Sequence, residues 1–347
     1  RYDTRPLADG EPAQLSALQA CFDLIADRGR EHFDIEYQND PPEDAGPEKS
    51  GISAALVASR TNGYPKTIIP AECHMLVRAV DVGQYRLHWV ALAAGSGFTG
   101  YIADYDQTDT VGVSREDTVQ LPVEQAIIHA LVNLRSQWIE NPLCREDGEI
   151  IEPKLVLIDS GSGLHRDAVY EFCRRVGRPF VPAKGFGVGR GRSPFHLGKH
   201  LAGQRLIGDR WALAKQREAK DVWLHEFDAD HWKRFVHQRF LTPTLADDGS
   251  YRRGAFSLWK AGLSHEHAKF ARQIEAEIWR EHFEEGKGQR VGFYPRHKDN
   301  HYLDAITMAA VAASICGARI VGDLPVRIRR SGVISGGDRR PDGRNWI

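Results

Sequence analysis

The sequence predicts an α/β fold in which one mixed sheet is flanked by helices, and two patterns indicate it. Three apolar runs between residues 75 and 105 are joined by short connections, which is typical of sequential antiparallel strands. Further along the chain, helical periodicity alternates with apolar runs, as in strand–helix–strand units. The order β-β-β-α-β-α-β therefore predicts three antiparallel strands followed by parallel ones.

The antiparallel strands are expected at residues 75–82, 86–94 and 98–105, with a tight Gly-Gln turn between the first two. An amphipathic helix is expected before them, at residues 13–33, where apolar residues recur at helical spacing. These elements place the start of the sheet near residue 75.

The parallel part of the sheet is expected to alternate with two helices. Residues 123–139 and 166–176 each show the apolar stripe of an amphipathic helix. Residues 154–158 form a continuous apolar run, which indicates a strand at the centre of the sheet. Residues 180–183 contain Pro182, and we therefore expect a short edge strand there.

The last third of the chain is harder to interpret from its pattern. Residues 203–262 look like short strands and hairpins, and residues 264–285 look like one long helix. Residues 301–317 are predicted to form a helix of small side chains that can pack closely on a sheet. Four tryptophans of this part are expected to be exposed: Trp211, Trp223, Trp232 and Trp259.

Charge divides the chain into three expected parts. Residues 1–50 hold twelve acidic and five basic side chains and are predicted to be an acidic, helical connector. Residues 51–320 are predicted to form the main domain, with 203–262 as an insertion or auxiliary hairpins. Residues 321–347 are predicted to be a flexible basic tail. Residues 184–220 hold nine basic and two acidic side chains, which indicates a phosphate-binding surface or, alternatively, a solvated face.

Several classes of protein are disfavoured. The five cysteines are scattered without a CxxC pair, which favours a reduced, intracellular setting over a disulfide framework or a zinc site. No apolar run is long enough to cross a membrane, and there is no signal-peptide pattern. The chain has no P-loop, and the GFGVGRGR stretch at 185–192 is not followed by an apolar helix. We therefore expect this segment to bind no nucleotide.

Three aspartates stand at the ends of predicted elements. Asp81 and Asp159 each end an apolar strand, and Asp304 lies near the start of the last helix. A carboxylate at the end of a buried strand is costly unless something compensates its charge. Each aspartate alone is compatible with an ordinary turn or helix cap. Together they predict a carboxylate cluster at one point.

Clusters of oxygen ligands suit Mg²⁺ or Mn²⁺, and a pair of such ions catalyses phosphodiester hydrolysis. We expect Asp81 to bridge two ions because it lies on the central strand, and Asp159 and Asp304 to hold one ion each. Asp104, Asp106 and Asp167 are weaker candidates for outer ligands. The order of an aspartate on one strand, an aspartate on a second strand and an aspartate on a helix is what a ribonuclease-H-like nuclease requires.

The basic stretch supplies candidates for binding the substrate. Lys184, Arg190 and Arg192 are expected to contact DNA phosphates from a loop beside the acidic cluster. The alternative is a loop whose charge is incidental. Nothing in the stretch indicates recognition of particular bases.

Short motifs in a fixed order resemble those of the large terminase subunits of tailed bacteriophages, most closely the lambda-like type. The resemblance covers about residues 30–318. It is carried by FDIEYQNDP at 33–41, DVG at 81–83, HW at 88–89, IDSG at 158–161, AVYEFC at 168–173, PAKG at 182–185 and NHYLDA at 300–305.

This resemblance implies a ribonuclease-H-like nuclease that cuts concatemeric viral DNA during packaging in the host cytoplasm. It implies metal-ligand roles for Asp81, Asp159 and Asp304, and a position beside the site for Lys184. The implied partners are double-stranded DNA, the small terminase subunit and the portal. The family's ATPase motifs are not in this chain, so residues 1–50 are expected to connect to a missing N-terminal ATPase domain.

Two alternatives remain open from the sequence. The same fold could serve a resolvase or a transposase-like nuclease, which would prefer branched DNA or transposon ends. The chain could also be a non-catalytic DNA-docking module whose acidic cluster is structural. In the second case, replacing Asp81 by alanine would leave metal binding unchanged.

Overall fold

A computed structural model describes most of the chain. The described residues are 16–28, 52–117, 119–163, 165–187, 204–207, 209–215, 222–246, 249, 252–263, 265–284 and 288–320. No helix within these ranges is long and apolar enough to cross a membrane.

Thirteen strands and seven α-helices are assigned in these ranges, with one short 3-10 helix at Ser96–Phe98. The strands are β1 (Ile68–Ile69), β2 (Met75–Val82), β3 (Arg86–Gly95), β4 (Thr99–Asp109), β5 (Cys144–Arg145), β6 (Pro153–Asp159), β7 (Phe180–Phe186), β8 (Gln204–Ile207), β9 (Trp211–Lys215), β10 (Trp223–Asp228), β11 (Phe256–Leu258), β12 (Glu277–Glu284) and β13 (Gly288–Pro295). The helices are α1 (Ala17–Arg28), α2 (Ala54–Ser59), α3 (Val123–Glu140), α4 (Arg166–Val176), α5 (Ala229–Leu241), α6 (Ala268–Ile274) and α7 (His301–Ile315).

Nine of the strands form one mixed sheet in the order β11-β4-β3-β2-β6-β7-β10-β9-β8. Strands β2, β3 and β4 pair antiparallel, and β6, β7 and β10 continue parallel to β2. The antiparallel start and the parallel continuation confirm the predicted fold class. The central order β4-β3-β2-β6-β7 is that of a ribonuclease-H-like sheet.

The central strands are buried throughout because helices cover both faces of the sheet. Alternate residues of β2 point to opposite faces, so Val77 and Ala79 join one core and Val80 and Val82 the other. The first core includes α5, α6 and α7, and the second includes α3 and α4. Asp81 shares its face with Val77 and Ala79, and it therefore lies beneath α7.

Helix α7 lies close to the sheet because its buried side chains are small. Ala309, Ala310, Ala312 and Ala313 have no exposed surface. Small side chains allow a helix backbone to approach its neighbours, as the sequence predicted for this segment. The first turn of α7 is thereby held at the carboxyl edge of β2 and β6.

Two expectations for secondary structure are wrong. Residues 180–183 belong to β7, which lies inside the sheet between β6 and β10. The predicted helix at 264–285 ends at Ile274, and β12 and β13 then form a hairpin. The two strands are joined by three residues that include a glycine, which is a hairpin pattern. Apolar residues at helical spacing in 264–285 favoured one long helix over this hairpin.

Residues 203–262 contain strands, as expected, and also the unpredicted helix α5. Asp228 caps this helix by accepting a hydrogen bond from the His231 backbone N–H at 3.0 Å. Strands β8, β9, β10 and β11 of this segment belong to the central sheet. Three of the four tryptophans expected to be exposed are instead buried: Trp211, Trp232 and Trp259.

Candidate functional site

One cavity of about 220 Å³ lies at the carboxyl edge of the parallel strands and brings the three predicted aspartates together. Asp81 reaches it from β2, Asp159 from β6, and Asp304 from the first turn of α7. Strands β2 and β6 are parallel, and their carboxyl ends therefore meet at the same edge. The topology explains why residues far apart in sequence share this cavity.

Asp81 is buried and hydrogen-bonded to a histidine. Its Oδ2 lies 2.7 Å from Nδ1 of His301, the first residue of α7. Burial raises the pKa of Asp81, and the negative charge of Asp304 raises it further against the opposing effect of His301. The same hydrogen bond raises the pKa of His301, and the negative charges of Asp81 and Asp304 raise it further. The protonation states of Asp81 and His301 therefore depend on each other.

Asp159 is held by the turn that follows β6. Its Oδ1 accepts a hydrogen bond from the Gly161 backbone N–H at 2.9 Å. The Ser160 hydroxyl donates to the Ala183 carbonyl oxygen at 2.9 Å, which ties the same turn to β7. The turn chemistry expected from this sequence is therefore present, and Asp159 also lines the cavity.

Asp304 has both carboxylate oxygens engaged. Its Oδ2 accepts a hydrogen bond from Asn300 Nδ2, and its Oδ1 lies beside Lys233 Nζ, each at 2.7 Å. Lys233 Nζ also donates to Glu277 Oε2, and Asn300 Nδ2 to Glu277 Oε1, again at 2.7 Å. The four side chains form a closed network, here called the lysine clamp, with Lys233 between two carboxylates.

The sequence interpretation missed Lys233, Glu277 and Asn300 of this clamp, and also Asp230. Asp230 Oδ1 accepts a hydrogen bond from the Phe293 backbone N–H at 3.1 Å. Helical spacing of apolar residues around Lys233 was visible and would have placed this lysine on a helix. No local pattern marks Glu277, because its position depends on the hairpin that it opens.

The cavity is strongly acidic. Among the described residues that line it, five carry a carboxylate and one carries an ammonium group: Asp81, Asp159, Asp230, Glu277 and Asp304, with Lys233. Like charges in a partly buried space repel unless a cation compensates them. The oxygen donors and this surplus of negative charge fit a divalent cation of the Mg²⁺ or Mn²⁺ type.

His88 supports this group from the neighbouring strand β3. It lies directly opposite Asp81 in the strand register. Its ring stacks on His301 with centroids 4.3 Å apart and planes 6° apart. Burial lowers the pKa of His88 to about 3, so its ring is neutral at physiological pH.

None of the remaining candidates is among the described residues that line the cavity. Lys184 is on β7, but its strand neighbours Ala183 and Gly185 face the α7 side, so alternation places Lys184 on the opposite face. Arg190 and Arg192 lie outside the described residues. The weaker outer-ligand candidates Asp104, Asp106 and Asp167 are not among the described residues that line the cavity.

Comparison with known proteins gives the family. The ribonuclease-H-like sheet and the acidic cavity at its carboxyl edge are the features expected of a ribonuclease-H-like nuclease. Residues 46–325 match the family model described as "Terminase large subunit gpA, endonuclease domain". The chain belongs to this family, as the motif resemblance predicted. The family is one of nuclease domains with a role in phage DNA packaging.

Solved structures include more distant likenesses. The nuclease domain of the large terminase subunit gp2 of bacterial virus Sf6 is 13% identical with a TM-score of 0.39, covering 75% of this chain and 97% of that one. A mutant of that subunit from bacteriophage Sf6, with calcium, is 12% identical with a TM-score of 0.37 over the same shares. A Ppx/GppA family member from Aquifex aeolicus is 17% identical with a TM-score of 0.21, covering 31% and 35%. No curated protein sequence matches the chain.

Proposed function

We propose that this protein is a metal-dependent DNA endonuclease that cuts concatemeric viral DNA during genome packaging. The observation that carries the proposal is the convergence of Asp81, Asp159 and Asp304 in one acidic cavity. Family membership supports an endonuclease, and the terminase context supports double-stranded DNA as its substrate. The acidic cavity supports the requirement for a divalent cation.

Asp81, Asp159 and Asp304 would hold Mg²⁺ or Mn²⁺, with two ions as the proposed number. Such ions, when bound, supply Lewis acidity and a nucleophile at neutral pH. Asp81 lies on β2, which pairs with β6 and packs against α7, and it is the proposed shared ligand. The lysine clamp fixes the Asp304 carboxylate, and the turn after β6 fixes Asp159. These contacts keep the oxygens in place before a cation arrives.

Lys184, Arg190 and Arg192 are proposed to bind DNA phosphates, on the strength of the basic stretch that contains them. The proposed protein partners are the small terminase subunit, the portal and an ATPase domain connected through residues 1–50. These partners, the basic tail at 321–347 and a location in the host cytoplasm rest on family membership and sequence pattern.

Plasmid cutting tests the proposal directly. Supercoiled plasmid is incubated with the protein and Mn²⁺, Mg²⁺ or EDTA, and nicked and linear products are measured. We expect cutting only with a divalent metal, and its loss in Asp81→Ala and Asp159→Ala. Asp167→Ala is the matched control, because this exposed carboxylate pairs with Arg166 at 3.0 Å and lies outside the cavity.

Each contrary outcome has a meaning. Cutting that survives both substitutions would show that the cavity is not the nuclease site. Absence of cutting together with Mn²⁺ binding unchanged by Asp81→Ala would favour the non-catalytic docking module. Faster cutting of four-way junctions than of linear duplex would favour the resolvase alternative.

A further inference from the structure

Asp81 contacts a histidine directly in the cavity. His301 Nδ1 lies 2.7 Å from Asp81 Oδ2, and His301 also lines the cavity. One ligand atom each from Asp81, His88 and His301 lie within 4.8 Å of one another. Donor atoms at this separation are close enough to share a cation, so the orientation of the two imidazole rings decides which of them can do so.

Asp304 is engaged by the lysine clamp at the edge of the same cavity. Both of its oxygens lie at 2.7 Å from members of the lysine clamp, one from Lys233 and one from Asn300. His301 stands three residues earlier on the same helix, and i and i+3 positions share a helix face. The first turn of α7 therefore presents a nitrogen donor to Asp81 and directs its carboxylate to Lys233.

Only one of the two histidines can coordinate an ion beside Asp81. An imidazole nitrogen binds through a lone pair in the plane of its ring. The His88 and His301 rings are parallel within 6° and are separated by 4.3 Å, so one ion cannot lie in both planes. His301 is half-exposed and lines the cavity, whereas His88 is buried against it. The stack therefore makes His88 a positioning residue.

From this geometry we propose that His301 is a metal ligand, paired with Asp81 at one of the two cation positions. The proposal rests on the proposed function, since it concerns the same metal centre. It adds a nitrogen donor to a site that the sequence predicted to hold oxygen donors alone. A nitrogen donor favours Mn²⁺ and other transition-metal ions over Mg²⁺, which prefers oxygen.

Electron spin-echo envelope modulation of the full chain loaded with Mn²⁺ tests this assignment without relying on activity. A directly coordinated imidazole gives ¹⁴N modulation, and labelling the histidines with ¹⁵N changes that signal in the unsubstituted protein. We expect the modulation in wild type and in His88→Gln, and its loss in His301→Gln. Mn²⁺ affinity should fall by roughly 10-fold or more in His301→Gln, with a smaller change for Mg²⁺.

The outcomes separate this inference from the proposed function. Bound Mn²⁺ without nitrogen modulation in wild type would overturn the ligand assignment and leave His301 as a hydrogen-bond partner of Asp81. Modulation that survives His301→Gln and disappears in His88→Gln would overturn it in favour of His88. Failure of wild type to bind Mn²⁺ would overturn the proposed metal dependence itself, and this inference with it. If a variant fails to fold, the absence of a ¹⁵N-histidine effect in wild type would still overturn the assignment.

Discussion

Replacing Lys233 by methionine should destabilise the protein severely, since this lysine is the central cation of the lysine clamp. Its side chain is only 8% exposed, and that of Glu277 only 2%. The ammonium group lies 2.7 Å from both Glu277 and Asp304. Methionine keeps the approximate volume but removes the charge, so two carboxylates then face each other without compensation.

The magnitude follows from the cost of a buried, unpaired charge. Removing one partner of a buried ion pair typically costs about 3–5 kcal/mol, and we expect Lys233→Met to fall in that range. Glu277→Gln should cost less, roughly 1–3 kcal/mol, because Lys233 keeps Asp304 and the amide oxygen can still accept from Asn300. The double variant should cost less than the sum of the two, with a coupling of about 1 kcal/mol or more.

Urea unfolding followed by circular dichroism, at neutral pH with EDTA, measures these differences in the free energy of unfolding. Lys269→Met is the matched control, because this lysine is exposed and contacts the side chain of Gln107. The control should change stability by roughly 0.5 kcal/mol or less. A loss below about 1 kcal/mol in Lys233→Met, or strict additivity in the double variant, would refute the clamp as a coupled unit.

Acid should destabilise the fold, because burial lowers the pKa of His225 and of His237 to about 4, below the value near 6.5 of the unfolded chain. The unfolded state then binds more protons between those pH values, and each histidine should cost roughly 2 kcal/mol at pH 5, measured by urea unfolding at several pH values. Gly100→Ala should lower stability by roughly 1–3 kcal/mol, since its Cβ would lie 2.4 Å from the Phe256 ring, as thermal unfolding would show. Asp81→Asn should raise the melting temperature in EDTA, because a raised pKa means that the ionised carboxylate opposes folding at neutral pH.

Each of these predictions has a further check. His237→Gln should make the pH dependence of stability shallower. Gly163→Ala adds a Cβ with no neighbour within 4 Å and should be nearly neutral. A melting temperature of Asp81→Asn below that of wild type in EDTA would show that the His301 hydrogen bond outweighs the burial of charge.

The elements that the sequence predicted well are those whose patterns are local. Strands β2, β3 and β6 are continuous apolar runs, and helices α3 and α4 show a clear stripe. Their order suffices to place Asp81 and Asp159 at the same edge of the sheet. Asp304 could be predicted as well, because an acidic residue at the start of a helix is visible in the sequence. The convergence of the three aspartates was therefore predictable before any coordinates.

The lysine clamp was not predictable, because it depends on contacts between distant elements. Lys233, Glu277 and Asp304 come from α5, β12 and α7, and no spacing rule relates them. The misassigned helix at 264–285 also removed β12 from consideration. The local sequence does not show whether a lysine is buried, because the packing around it decides whether its charge is compensated by solvent or by carboxylates.

The small side chains of α7 connect these two parts of the site. The alanines that touch the sheet bring the helix backbone close to β2 and β3, and the first turn of α7 therefore lies at the carboxyl edge of the sheet. In this position His301 forms a hydrogen bond with Asp81, and Asp304 forms an ion pair with Lys233. A larger side chain in the alanine face would push the turn outward and separate His301 from Asp81. The packing of an apolar helix therefore determines which donor atoms a cation in this cavity would meet.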